Sequence, residues 1–289
     1  MFKKTYTATM KTIIRSPLVW VASFLMVGVG LYFTLELGSF GTYDMASGEM
    51  IWDKDPRFVL TYPLYIQKLF GTMHRGELML FAAPALFVIT SGIVLTRDWR
   101  DNTFEIERAG NVRPATYFLG RFSAVFTFIT VAALIEELIM FHLYTITRGG
   151  VQGLTGWDYI IDSNIRILRM FFIVVIPGIL VFSGITFLAG NLTRSGTVGT
   201  IVGLCYVLFE YLANTVLKLR VPELYQDFMT PTPRKLYLYW QYFDTEWFTE
   251  KTWHNPFTTE QMLLCLGIIY SAAIVFLVIS YCCVKRRRM

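Results

Sequence analysis

The chain has 289 residues, of which 54% are hydrophobic, 16% aromatic and only 16% charged, with a mean hydropathy of +0.48; a soluble globular domain carries about 25% charged residues. This excludes an ordinary soluble enzyme, because the apolar residues gather into runs of 18 or more, long enough to cross the ~30 Å hydrocarbon core of a bilayer. The net charge of +5 comes from basic residues flanking those runs, so it reads as a topology signal and no nucleic-acid partner is expected.

In chain order, residues 1–16 place Phe2, Tyr6, Met10, Ile13 and Ile14 at helical spacing, with Lys3, Lys4, Lys11 and Arg15 at the other positions. That pattern predicts a helix lying in the membrane interface. Ser16 and Pro17 supply an N-cap and an N1 residue, so the chain turns there and restarts as the first span, 18–35. No A-x-A-like site closes that run, so cleavage as a signal peptide is not expected. A connection of about 40 residues, 38–77, carries Trp52, Phe58, Tyr62 and Tyr65 and leads to the second span, 78–95.

The hairpin 97–114 follows. Asn102 with Glu105 three residues on is a capping-box-like start, and Gly110 is a natural stop, so a helix of about seven residues is expected between them. It would carry Phe104 and Ile106 beside Glu105, Glu107 and Arg108, a form suited either to docking in a groove of another protein or to simply joining two spans. Pro114 opens the next helix, which runs through Tyr117 and Arg121 into the third span, 122–146.

The fourth span, 167–190, contains Pro177-Gly178, which predicts a local kink, and the fifth is 197–217. The connection 218–261 is crowded with aromatics, among them Tyr237, Tyr239, Trp240, Trp247 and Trp253, and suits helices seated in the outer interface or dipping between spans. The sixth span is 262–284. The fold class expected is an all-α polytopic membrane protein, one transmembrane domain over 1–289.

An even number of spans puts both termini on one side. With that side cytoplasmic, 14 of the 26 Lys and Arg residues lie in short inside segments close to span ends, and most of the others lie in the two long connections. Termini inside is therefore the orientation expected.

Motifs for chemistry are mostly absent. No G-x-x-x-x-G-K-[ST] is present to cradle nucleotide phosphates, no G-x-S-x-G elbow occurs, and His74, His142 and His254 stand far apart without ligand spacing. Cys205, Cys265, Cys282 and Cys283 lie in or beside apolar runs and form neither a disulfide framework nor a CxxC pair. The constellation nearest to catalysis is Glu136-Glu137 with His142, reminiscent of intramembrane glutamate proteases. Here Phe141 stands four residues after Glu137, no arginine follows within the span, and no histidine lies in another span, so an intramembrane hydrolase ranks third.

Glu136, Glu137 and Glu210 nonetheless need an explanation at mid-membrane, where an uncompensated charge costs several kcal/mol. Glu136 and Glu210 both lie ~20 Å up their helices at 1.5 Å per residue. Two readings fit: carboxylates along a transport route that attract a cationic cargo, or neutral, hydrogen-bonded groups that fix packing, the second being favoured.

The hairpin residues Asp101, Thr103, Phe104 and Glu105, followed by Gly110, Pro114, Gly120 and Arg121, resemble the permease subunits of type-2 ABC exporters. In that family an acidic residue, Thr, an aromatic and Glu precede a turn and a new helix ending in Gly-Arg or Gly-Lys. The interfacial N-terminal helix, six spans and a large connection before the last span match too. The resemblance implies a second six-span permease, of the same or a homologous chain, and two cytoplasmic ABC ATPase subunits that bring ATP and Mg, with no cofactor in this chain. It implies that the hairpin is a coupling helix in which Asp101, Thr103, Phe104, Glu105, Ile106 and Arg108 contact the ATPase. A cell membrane, that of a bacterium, is the expected location, membrane lipid a partner, and an amphipathic or cationic peptide, drug or lipid-like molecule the expected cargo. A non-transporting receptor or scaffold is the alternative.

Overall fold

The first 36 residues form two helices joined at an elbow. Helix α1 (Phe2–Ile14) ends where Arg15 closes its last turn, and α2 (Pro17–Glu36) restarts at Pro17, whose ring presets the first helical φ. The two axes differ by 67°. The Trp20 indole Nε1 of α2 donates to the Ile14 carbonyl at 2.7 Å, occupying an acceptor left open at the end of α1 and bracing the bend.

In the computed structural model the described residues are 1–36, 41–43, 50–52, 79–101, 103, 109–147, 168, 171–220 and 259–286. They are helical almost throughout, as predicted. The exception is a short antiparallel hairpin, β1 (Gly41–Tyr43) with β2 (Met50–Trp52), paired Gly41 to Trp52 and Tyr43 to Met50. The rest of the predicted connection 38–77, the aromatic connection 218–261, His74 and His254 lie outside the described residues, as do the side chains of Glu137 and His142.

The remaining helices are α3 (Met79–Arg100), α4 (Pro114–Thr147), α5 (Ile176–Thr193), α6 (Gly196–Arg220) and α7 (Thr259–Arg286). Together with α2 they fall on the six predicted runs. Pro114–Glu136, Phe171–Thr193 and Leu263–Arg286 are each long and apolar enough to cross a membrane, and the bent pair of α1 and α2 is a fourth candidate. Where a kink is predicted at Pro177-Gly178, a π turn, Phe171–Val175, precedes the proline. Pro177 cannot donate to the carbonyl four residues back and crowds it, and a wider turn relieves that conflict. The Tyr270 hydroxyl of α7 donates to the Phe172 carbonyl in this turn at 3.1 Å.

Helix α3 continues to Arg100, so Arg97 to Arg100, where the predicted hairpin starts, form its last turn; Arg97 and Arg100 there oppose the negative end of the helix dipole. The helical assignment in the hairpin ends at Ala109, before the predicted stop at Gly110, and the left-handed residue is Asn111, at φ 57°. Asparagine tolerates that region because its short amide can bond locally.

The core runs through α1 to α7 at the elbow end. Ile13, Met26, Leu86, Ile129 and Phe187 are its most completely buried large side chains. Phe122 meets Phe187 edge-on at 5.6 Å between centroids, and Phe118 meets Tyr281 at 5.9 Å, which ties α4 to α5 and α7. Helices α5 and α7 share a buried Asn191 to Ser280 hydrogen bond of 2.9 Å. Helix α6 packs on α5 through Gly199, where a Cβ would come within 2.7 Å of the Thr186 carbonyl oxygen; bilayer helices use such small residues to approach closely. Outward faces of α2, α6 and α7 expose Phe24, Leu25, Ile201, Phe209, Leu264 and Ile274, as lipid-facing helices do.

Candidate functional site

The polar residues of the elbow end converge where the predicted hairpin leaves the bundle. Asp98 in the last turn of α3 and Arg121 in the second turn of α4 form an ion pair of 2.5 Å, with side chains 6% and 8% exposed. Asp98 also accepts a bond from the Tyr117 hydroxyl at 3.1 Å, and the Arg121 guanidinium lies 4.5 Å from the centre of the Tyr117 ring. A charged pair this buried survives only with such additional partners.

Helix α1 is attached to this pair. The inward face of α1 is Thr5, Thr9 and Ile13, all buried, while Phe2 and Ile14 of the predicted apolar stripe are 46% and 48% exposed. Arg121 Nη1 donates to Thr9 Oγ1 at 3.5 Å, and the Thr9 hydroxyl donates to the Thr5 carbonyl at 2.9 Å. Gly120 lets α1 come this close, since a Cβ there would lie 3.0 Å from Thr5 Cγ2 and 3.4 Å from the Tyr6 backbone nitrogen. Lys3, Lys4, Lys11 and Arg15 are exposed.

A second, exposed layer lies beyond it. Asp101 is bracketed by Arg100 at 2.8 Å and Arg97 at 3.3 Å, and Arg97 Nη1 donates to Thr12 Oγ1 of α1 at 3.2 Å. The hydrogen bond from Arg100 holds the Asp101 carboxyl below its ordinary range, and the same bond raises Arg100. Both ends of the hairpin are thus fastened to α1, through Arg97 at its start and Arg121 after its end.

The predicted ATPase-coupling residues divide across this boundary. Asp101 stands at the turn that ends α3, and Thr103 and Ala109 are helical at the two ends of the expected short helix. Phe104, Glu105, Ile106 and Arg108 lie outside the described residues. Of the predicted route residues, Glu136 and Glu210 are buried, at 3% and 4% exposure, and Oε1 of Glu136 has no hydrogen-bond partner among the described residues. The side chain of Glu137 is outside them.

Sequence reasoning passed over Asp98, Thr5 and Thr9. A signal existed for the first: Asp98 and Arg121 are opposite charges at the facing ends of two apolar runs joined by a hairpin. None existed for the threonines, which become inward residues only once Gly120 has opened a place for them. Comparison with protein-family models and with curated proteins finds no match for this chain.

Proposed function

We propose that the chain is the membrane-spanning permease subunit of an ATP-driven ABC exporter, with six spans, both termini and the 97–114 hairpin in the cytoplasm, and ATP hydrolysis in separate partner subunits. The observation that carries this reading is the fastening of the hairpin. A helix that merely joined two spans would need no buried ion pair at its root, whereas a helix pushed by a motor must be rigidly connected to the elements it moves. Asp98, Arg121, Tyr117, Thr9 and Thr12 supply that connection to α3, α4 and α1 together. Packed interfaces move as discrete bodies, so force on the hairpin would move all three helices as one. Glu136, Glu137 and Glu210 are the candidate positions for a cargo-facing role, and an amphipathic or cationic peptide, drug or lipid-like cargo in a bacterial plasma membrane is the corresponding substrate class.

The test is assembly and coupling. Expressed with the products of its neighbouring genes, the solubilised chain should retain a P-loop ATPase; a preparation that never does sinks the exporter reading. In the assembled complex, Phe104→Ala and Glu105→Arg should each lower cargo-stimulated ATP hydrolysis by at least tenfold, since a buried aromatic anchor contributes about 2 kcal/mol or more. Normal stimulation in both variants would move the contact elsewhere.

A further inference from the structure

We propose that the groove between the elbow of α1 and α2, the last three turns of α3 and the first two turns of α6 binds the phosphate-bearing headgroup of an anionic phospholipid. The groove is about 510 Å³ and is lined by Arg15, Arg97 and Arg100 at its polar end. Among the described residues Asp101 is the single carboxylate paired with two of these arginines, and Arg15 has no acidic partner, so the rim keeps an excess of positive charge. The hydroxyl residues Thr12, Ser16, Thr96 and Thr197 line the same space.

Two helices begin here. Pro17 and Leu18 of α2 and Thr197 of α6 line the groove, and neither helix has an acidic residue in its first turn. Ser195 Oγ caps the Val198 amide of α6, and the positive ends of both dipoles reach the groove with no acidic side chain of their own first turns to offset them. Guanidinium groups with hydroxyls around them suit a phosphate oxygen cluster, which takes forked hydrogen bonds.

The other end of the groove is apolar. Ile89 and Ile93 of α3 form its floor, and Leu18 and Ile201, 54% and 55% exposed, open it toward the outer face of the bundle. Close packing of α3 on α6 shapes this floor, because Gly92 seats the Thr200 side chain and Gly196 seats the backbone of Thr96. A free phosphate would leave that half of the groove empty. A phospholipid fills both halves, its phosphate at the arginines and its upper acyl carbons on the isoleucines. The position suits one as well, since the elbow is where an interfacial helix turns into a span. This inference rests on the helices crossing a membrane and is independent of the exporter reading; a chain that never retains an ATPase can still pass the lipid test.

The test is native mass spectrometry of the full chain in detergent with equal amounts of phosphatidylglycerol and phosphatidylcholine. The first bound lipid should be phosphatidylglycerol by about tenfold, and Arg15→Gln/Arg100→Gln should bring that preference to within about twofold. Lys3→Gln/Lys4→Gln, which removes two charges of the same helix outside the groove, should leave it unchanged. Ile201→Trp, which keeps every charge and narrows the apolar end, should lower phosphatidylglycerol occupancy at least threefold. Arg97 is left intact because it ties α3 to α1. If the double variant does not fold, Arg15→Gln alone decides, with a loss of about threefold expected. Equal retention of the two lipids by the unaltered chain overturns the proposal, as does equal loss in the Lys3/Lys4 control. Displacement of the bound lipid by millimolar inorganic phosphate would reassign the groove to a free anion and overturn it too.

Discussion

The Asp98 to Arg121 pair is the residue-scale feature with the greatest leverage. Removing one partner leaves a buried charge, which costs about 3–5 kcal/mol, whereas replacing both with apolar groups of similar volume is often neutral. Asp98→Ala should therefore lower thermal stability in detergent sharply, and Asp98→Leu/Arg121→Met should recover most of the loss. Equal destabilisation of the single and double variants would mean that the pair is not the root of the hairpin. Asp101 behaves differently because it is exposed. Its folded carboxyl is lowered below 3.8 by the bond from Arg100, so the contribution is complete above the ordinary carboxylate range and is lost as pH falls through the lowered value. Proteolytic nicking of the hairpin should separate wild type from Asp101→Asn at pH 7 and bring the two together only once the pH has fallen past the lowered folded value. A difference that persisted in acid would point to something other than this carboxylate.

At the scale of elements, approach distance decides which small residues matter. Gly199 sits where α6 touches the backbone of α5, with Gly190 Cα 3.0 Å from any added Cβ, so Gly199→Val must push two helices apart. Overpacking of that kind costs about 1–3 kcal/mol. Among the described residues nothing lies within 4 Å of a Cβ at Gly28 or Gly267, and alanine there should be neutral or add up to ~1 kcal/mol through helix propensity. Melting temperatures in one detergent compare the three directly; a Gly267→Ala loss as large as that of Gly199→Val would contradict the packing described. The same distances explain why α1 docks by its threonine face. Apolar spacing alone does not single out this face: Gly120 offers a shallow place for Thr5, and Phe2 and Ile14 of the apolar stripe turn outward.

At the scale of the whole molecule, the elbow of α1, the root of the hairpin, the turn between α5 and α6 and the end of α7 occupy one end of the bundle. Arg121 to Thr9, Thr96 to Gly196 and Phe118 to Tyr281 are the contacts that bring them there. Those are the segments that the charge pattern assigns to the cytoplasm. In a background without the native cysteines, cysteine at position 55 or 244 should label in intact cells, and cysteine at 107 only after permeabilisation. The reverse pattern would put the hairpin outside and remove its access to an ATPase.

Membrane character, the six helical runs and the restart at Pro17 were legible in the sequence, because each depends on local quantities: run length against bilayer thickness, and the conformational limits of proline. The Pro177 irregularity was legible as a place but not as a π turn, since relief of a single carbonyl clash has several local solutions. The buried Asp98 to Arg121 pair and the inward threonines of α1 were decided by the tertiary structure alone. They depend on which faces of three helices meet, and that is set by small residues such as Gly120 at distances that no one-dimensional pattern records. The groove beside Arg15 has the same origin: its arginines come from two helices 82 positions apart in sequence, from Arg15 to Arg97, and only the packing of α3 on α6 and the elbow between α1 and α2 bring them to one rim.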